Sequence, residues 1–268
     1  MAATIFFNAA VISVEQTANH MDDPLESVRI LLQTSARICV LTGAGFSAES
    51  GIPTFRGPGG LWRKFRPEEL ATAAAFTRDP VLVWEWYQWR RGIIAAAQPN
   101  PGHLALAALE SRTPAFTLIT QNVDGLHQRS GSRNVLEIHG SIWMLRCTSC
   151  GESQSNHQVP LATLPPECAC GGLLRPGVVW FGEGLDEQVW QRAVDAVCSA
   201  ELFLVAGTSA VVYPAASLAP LSKRSGACVV EINLEETPIS DAVDASLRGT
   251  SGEILTALLP FTGQSGSA

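Results

Sequence analysis

Five short runs, Ile38 to Leu41, Thr117 to Thr120, Val135 to Ile138, Leu202 to Val205 and Val229 to Ile232, are almost continuously apolar and rich in β-branched residues. A strand with one wet face alternates apolar and polar side chains, whereas runs like these suit a parallel sheet covered on both faces. Between them stand segments of helical period: Leu104 to Leu109 behind Pro101, Val189 to Val197 behind Asp186, and Ile254 to Leu259. Strands alternating with helices predict an α/β fold with a doubly wound parallel sheet. At 268 residues, 46% apolar and 16% charged, the chain is long enough for one such body and an insertion.

Each run ends in polar or glycine residues: Thr42-Gly43, Gln121-Asn122, His139-Gly140, Gly207-Thr208-Ser209 and Asn233. Ligands of open parallel sheets bind outside the carboxyl ends of the strands, so these five clusters are expected to line one crevice. Two stretches break the alternation: Gly57 to Pro101, rich in Trp and Ala, and Cys147 to Pro176, rich in Cys, Pro and Gly. They predict a second, smaller lobe. The resulting division is an N-terminal extension over 1–24, with the start at Met1 or Met21 left open. A Rossmann-like body spans 25–57, 101–143 and 177–262. A helical insert covers 58–100, a metal-binding insert 144–176, and a disordered Gly/Ser tail 263–268.

A net charge of −7 gives phosphate backbones and anionic lipid little to hold, so no direct nucleic-acid or membrane partner is expected. No run of about 18 apolar residues occurs, and the first 28 positions lack the Lys and Arg of leader peptides, which predicts the cytoplasm. Seven cysteines in that compartment are not a disulfide framework. Four of them fall as Cys147-x-x-Cys150 and Cys168-x-Cys170, paired knuckles of the kind that tetrahedral zinc binds. Four protein ligands leave no open position, so the ion is expected to be structural. Cys39, Cys198 and Cys228 stand alone in apolar runs and read as core thiols.

The run from Ile38 to Ser47 is a strand entering a glycine turn, with Ser47 to Ser50 placed to open a helix. Glycines let a backbone approach a pyrophosphate, and a helix N-terminus favours its charge. On the residues alone a tight strand-to-helix turn explains the same pattern. His139 at a strand end suits proton transfer near neutral pH, or a structural role. In the predicted helix Val81 to Ala97, Tyr87 and Arg90 are three apart and share a face. A phenol beside a guanidinium can grip a carboxylate. Equally, with Arg91, Trp84, Trp86 and Trp89, the pair could form a solvated aromatic and basic face.

The run Gly43-Ala44-Gly45-Phe46-Ser47-Ala48-Glu49-Ser50-Gly51-Ile52-Pro53-Thr54-Phe55-Arg56-Gly57 resembles the signature of the sirtuins, NAD-dependent protein-lysine deacylases. Thr120 to His127, Glu137 to Gly140, Val179 to Glu183 and Gly207 to Ser209 resemble further family segments, in the family's order. The resemblance covers roughly residues 25 to 260 and implies NAD as cofactor with one structural zinc ion. It implies His139 as the general base. In the implied reaction the acyl oxygen displaces nicotinamide from the ribose, His139 activates a ribose hydroxyl, and free lysine and O-acyl-ADP-ribose leave. It further implies NAD contacts from Gly43, Ala44, Gly45, Phe55, Arg56, Gln121, Asn122, Asp124, Gly207, Thr208, Ser209, Asn233 and Ser251. Val179, Phe181, Gly182 and Glu183 match the segment that pairs with the peptide as a strand. Tyr87 and Arg90 resemble the mark of the desuccinylating class, which points to succinyl- and malonyl-lysine, with weaker deacetylation. The expected partners are acyl-lysine proteins, met by a monomer. Protein deacetylation alone, or mono-ADP-ribosyl transfer, are the alternatives.

Overall fold

The computed structural model describes residues 23–55, 60–61 and 66–259. The expected extension, the tail and Arg56 lie wholly or almost wholly outside them. Helix α1 (Pro24–Thr34) starts on Asp23, whose carboxylate accepts from the Leu25 N–H at 2.9 Å. Strand β1 (Arg37–Thr42) follows, then a 3-10 turn over Ala44–Ser50 that Gly51 ends at φ 82°. The expected α-helix after the glycines is therefore only this turn.

Helices α2 (Pro67–Leu70), α3 (Ala73–Arg78) and α4 (Pro80–Ala96) make up the first insertion. Helix α5 (Pro101–Arg112) returns the chain to the body through a capping box between Asn100 and His103. Then come β2 (Ala115–Thr120), α6 (Leu126–Arg129) and β3 (Val135–Glu137). The second insertion holds β4 (Gly140–Cys147), β5 (Ser153–Ser155) and β6 (Leu174–Val178). Helix α7 (Glu187–Ser199), β7 (Leu202–Ala206), α8 (Leu218–Arg224), β8 (Cys228–Asn233), β9 (Ala245–Arg248) and α9 (Ser251–Leu258) complete the body.

The large sheet is six-stranded and parallel, in the order β3-β2-β1-β7-β8-β9. From β1 the chain steps outward through β2 to β3, and from β7 it steps the other way. The order therefore reverses between β1 and β7, the place where such folds open a ligand crevice. Successive side chains of β1 divide between two cores: Ile38 and Val40 face one, Cys39 and Leu41 the other. In β7, Leu202 and Leu204 share the first core while Phe203 and Val205 share the second. Both faces are covered, which is why the runs carry no polar alternation. The edge strand β9 escaped the sequence reading because Ala-Ser-Leu-Arg buries only Leu247.

The smaller lobe packs α2–α4 against an antiparallel sheet of order β5-β4-β6. Trp84, fully buried in that core, donates its indole N–H to the Leu174 carbonyl at 2.8 Å. A Trp84→Ala change would remove that packing and strand the carbonyl, costing about 3–5 kcal/mol. Arg91 is also buried: its guanidinium donates to the carbonyls of Ile142, Asn156 and Gln158 and to the Asn156 side chain. Trp84, Trp86, Tyr87, Arg90 and Arg91 are all buried, so the solvated-face reading of α4 fails; Trp89 alone of that set is exposed. Among the lone cysteines Cys39 is a core thiol, Cys228 is half-buried and Cys198 is exposed. The expectation for Cys198 was wrong because the last turn of α7 presents it to solvent.

Candidate active site and metal centre

The glycine loop crosses the end of β7 at van der Waals limits. A Cβ on Gly43 would stand 2.7 Å from the Thr208 Cβ, and one on Gly45 would stand 2.8 Å from the Gly207 carbonyl. The Gly45 N–H donates to that carbonyl at 2.8 Å. Gly207 itself has φ 60°, and a Cβ there would strike the Phe46 nitrogen. These glycines thus let two loops touch at the switch point, a constraint that spacing alone did not reveal. Ala44 sits on the turn between them, and the N-cap, Gly43, offers no side chain, the Gly45 and Phe46 N–H groups being taken by the Gly207 and Gly43 carbonyls.

The strand ends are tied to one another. Asn122 donates to the Gly43 carbonyl at 3.0 Å and to the Ser47 hydroxyl at 3.1 Å, and Ser47 donates to Asp124 at 2.8 Å. Gln121 donates to the Thr208 hydroxyl at 2.9 Å, and Asn233 donates to the Thr208 carbonyl at 2.9 Å. The His139 Nδ1 lies 3.1 Å from the Gln121 carbonyl. All five expected clusters therefore meet. Ser251 is buried at the first turn of α9, where the Gly252 N–H donates to Glu49 at 2.8 Å. Ser209 is exposed beside Thr208, and Phe55 reaches across to α4.

A carbonyl only accepts, so His139 carries its proton on Nδ1 and presents Nε2 as a base. Burial lowers its pKa, against a rise from the Gln121 bond, and the ring is neutral at pH 7. Burial raises the Asp124 pKa, opposed by the bonds from the Leu126 N–H and Ser47. Sequence reasoning missed the layer beneath. Thr42 bonds Thr120 at 2.8 Å and His127 Nε2 at 2.9 Å, all three fully buried or nearly so. The sequence marks Thr42 as a strand end and His127 as part of a family segment, but not that they bond each other, because the network joins three separate elements.

Val179 donates its N–H to the His139 carbonyl at 2.9 Å, which holds the segment Val179 to Glu183 beside the histidine. Phe181 and Gly182 are exposed there, with Gly182 at φ 88°. Glu183 turns inward, paired with Arg175 and accepting from the Trp180 N–H at 2.8 Å. Burial alone would raise its pKa; the Arg175 and Trp180 bonds bring it below the usual range.

In the small lobe Tyr87 and Arg90 are 2% and 7% exposed. The Arg90 guanidinium lies over the rings of Phe55 (4.7 Å) and Trp86 (5.0 Å). Those faces leave its N–H groups uncommitted, and no hydrogen bond or ion pair reaches it among the described residues. Burial pulls its pKa below the ordinary range, opposed by Tyr87 and Asp124. Tyr87 accepts the Trp180 indole N–H at 2.9 Å, while its own hydrogen has no acceptor among the described residues. Burial raises the phenol's pKa, so it stays protonated.

The thiol sulfurs of Cys147, Cys150, Cys168 and Cys170 lie within 4.8 Å of one another. Cys147 and Cys170 are 3.5 Å apart, Cys150 and Cys168 3.8 Å. Tetrahedral zinc with bonds of about 2.3 Å needs sulfurs about 3.8 Å apart. Backbone N–H groups of Cys150 and Ser149 draw the Cys147 thiol down to about 6. At Cys150 the Glu152 backbone bond is outweighed by the neighbouring sulfurs, which push it up to about 12, so without a cation the quartet holds one thiolate and a metal must draw off the other protons. The donor set fits one structural zinc ion.

A doubly wound sheet with a glycine loop at its switch point, joined to a four-thiol lobe, defines the class. Residues 43–214 match the Sir2 family model. An NAD-dependent protein deacylase of Aquifex aeolicus is 59% identical over 208 residues, which cover 77% of this chain and 87% of the relative. NAD-dependent protein deacylase 2 of Pyrobaculum aerophilum is 53% identical over 234 residues, 87% and 94% of the two chains. The crystal structure of a Sir2 homologue in complex with NAD is similar at TM-score 0.83 and 51% identity, covering 90% of this chain and 93% of its own. The chain belongs to the Sir2 family, the sirtuins.

Proposed function

We propose that this protein is an NAD-dependent lysine deacylase with a pocket for acyl groups that end in a carboxylate. The observation that carries the acyl preference is a pair of donors on buried residues that find no acceptor among the described residues, the Tyr87 hydroxyl and the Arg90 guanidinium. A buried charge left unpaired costs several kcal/mol, and an anionic group meeting both donors removes that cost. Succinyl- and malonyl-lysine supply such a group; acetyl-lysine does not.

NAD, when bound, supplies an electrophilic ribose carbon and nicotinamide as leaving group. The residues that would hold it are the glycine loop, Gly43 to Gly45, with Gln121, Asn122 and Asp124 toward the nicotinamide half. Gly207, Thr208, Ser209, Asn233 and Ser251 would serve the adenosine half and Phe55 would cover the site; the role given to Arg56 rests on the family resemblance, since it lies outside the described residues. The fit rests on the strand ends meeting at the switch point and on a turn whose N-cap has no side chain. His139 Nε2 takes a proton from a substrate hydroxyl, held in orientation by the Gln121 carbonyl. Val179, Phe181 and Gly182 would meet the acylated peptide beside the histidine, chiefly through their carbonyls, since the Val179 and Phe181 N–H groups already donate to His139 and Ala71. Glu183 belongs to that segment, and its carboxylate braces it through Arg175.

The test is Arg90→Met with paired peptides. Its kcat/KM on succinyl-lysine is expected to fall about a hundredfold, as for a lost buried charge pair of about 3 kcal/mol. The fall on acetyl-lysine is expected to be much smaller. Equal losses on both peptides would refute the acyl preference. Mass spectrometry of the product distinguishes deacylation, which yields O-acyl-ADP-ribose, from transfer of ADP-ribose to protein.

A further inference from the structure

Trp180 is the one side chain bonded to the Tyr87 oxygen among the described residues, and nothing in the proposed reaction uses it. It is 3% exposed, and its indole N–H donates to the Tyr87 oxygen at 2.9 Å. Its position is fixed from three sides. The Arg175 guanidinium stacks over its ring, Phe76 packs against it with ring centroids 5.4 Å apart, and its backbone N–H is held by Glu183. The ion pair between Arg175 and Glu183 closes that bracket.

A phenol O–H prefers the plane of its ring, which allows two orientations. A donor seated on one in-plane lone pair excludes the hydrogen from that direction, because two hydrogens would then face each other. We propose that Trp180 is a positioning residue for acyl selectivity: its indole N–H commits the Tyr87 hydroxyl to donate in the remaining direction, toward the acyl group. Donation into the oxygen also polarises the O–H and makes it the stronger donor. The effect favours ligands that accept from the phenol at the acyl end, which a carboxylate does and a methyl group does not. The inference rests on the carboxylate-pocket reading of Tyr87 and Arg90. It assigns the selectivity to a third residue, on the loop after β6, and gives the Arg175–Glu183 pair the task of holding that residue still.

The experiment is calorimetric titration of the zinc-loaded protein with succinyl-lysine and acetyl-lysine peptides, without NAD, so that binding is read apart from turnover. The variants are Trp180→Phe, Tyr87→Phe and the double mutant. Trp180→Phe keeps an aromatic ring against Phe76 and Arg175 but removes the N–H. Its affinity for the succinyl peptide is expected to fall about fivefold, the scale of one hydrogen bond, with acetyl affinity changing less than about twofold. In the Tyr87→Phe background the same substitution is expected to leave the succinyl-to-acetyl ratio unchanged, since the residue acts through the phenol. Replacing Trp180 with 3-benzothienylalanine, which has the indole's shape without its donor, must reproduce the loss. That variant decides the matter if the smaller phenylalanine ring unfolds the lobe. Equal weakening of both peptides would overturn the inference, as would a persistent ratio change in the double mutant. A wild type that prefers succinyl peptide, with Trp180→Phe preserving that preference, refutes the role of Trp180 alone. A wild type without the preference refutes the pocket and this inference together.

Discussion

The crevice at the ends of β1 and β7 and the buried face of α4 that carries Tyr87 and Arg90 settle their hydrogen bonds in opposite ways. In the crevice the side chains at the strand ends hold one another and the backbone around them. Asn122 holds Gly43 and Ser47, Ser47 holds Asp124, Gln121 holds Thr208, and the Gln121 carbonyl orients His139. On α4, Tyr87 and Arg90 keep donors without acceptors among the described residues. The first arrangement is rigid before any ligand arrives, which suits chemistry common to every substrate. The second is incomplete without a ligand, which suits choosing among substrates.

That contrast can be broken most directly at its shared point. His139→Ala is expected to lower turnover on succinyl- and acetyl-lysine alike, by about 10²- to 10⁴-fold, while NAD binding by calorimetry is retained. A variant that kept activity on one acyl group would show that the two regions are not divided as described.

Removal of zinc tests the α4 side from below, since Cys147 ends β4, β6 begins four residues after Cys170, and both strands floor the α4 core. Chelation is expected to lower stability by about 4 kcal/mol, the linkage expected of a site saturated a thousandfold, with a matching drop in Tm. Succinyl affinity is expected to disappear in the same titration. An unchanged Tm would mean that the small lobe stands without metal.

A pH scan sharpens the comparison on the crevice side. Burial depresses His103 to about 3 and holds His127 well below 6.5, so both stay neutral in the folded protein. The unfolded chain protonates them near 6.5. Their contribution is therefore complete above that pH and is lost as pH falls below it, by about 1.4 kcal/mol per unit for each. Glu137, which burial raises to about 7, opposes them over the same range, so the test is the difference: denaturant melts at pH 7, 6 and 5 are expected to lose about 1.4 kcal/mol per pH unit less in His127→Asn than in the wild type.

The smallest expected effect concerns the loop crossing. Gly45→Ala would force a Cβ against the Gly207 carbonyl and cost about 1–3 kcal/mol, with NAD affinity falling in parallel. Gly92→Ala, where a Cβ meets open space, serves as the control.

The sheet was legible because burial on both faces leaves a mark in composition. Five of six large-sheet strands are readable as apolar runs, and their carboxyl ends did gather into one crevice. The four cysteines were legible because ligands close in sequence must be close in space. Less local features were not. Nothing in a list of residues says that Gly45 is small because Gly207 touches it, or that Thr42, Thr120 and His127 share one buried network.

By itself, then, the chain of residues determined the fold class, the thiol quartet and the family, because these are written in local pattern and short spacing. Whether Tyr87 and Arg90 stand in water or are buried, and which atom their neighbour Trp180 engages, was decided only by tertiary packing. The reason is physical: a side chain's charge cost and hydrogen-bond partners depend on what other elements bring to it, and periodicity along one helix carries no record of them.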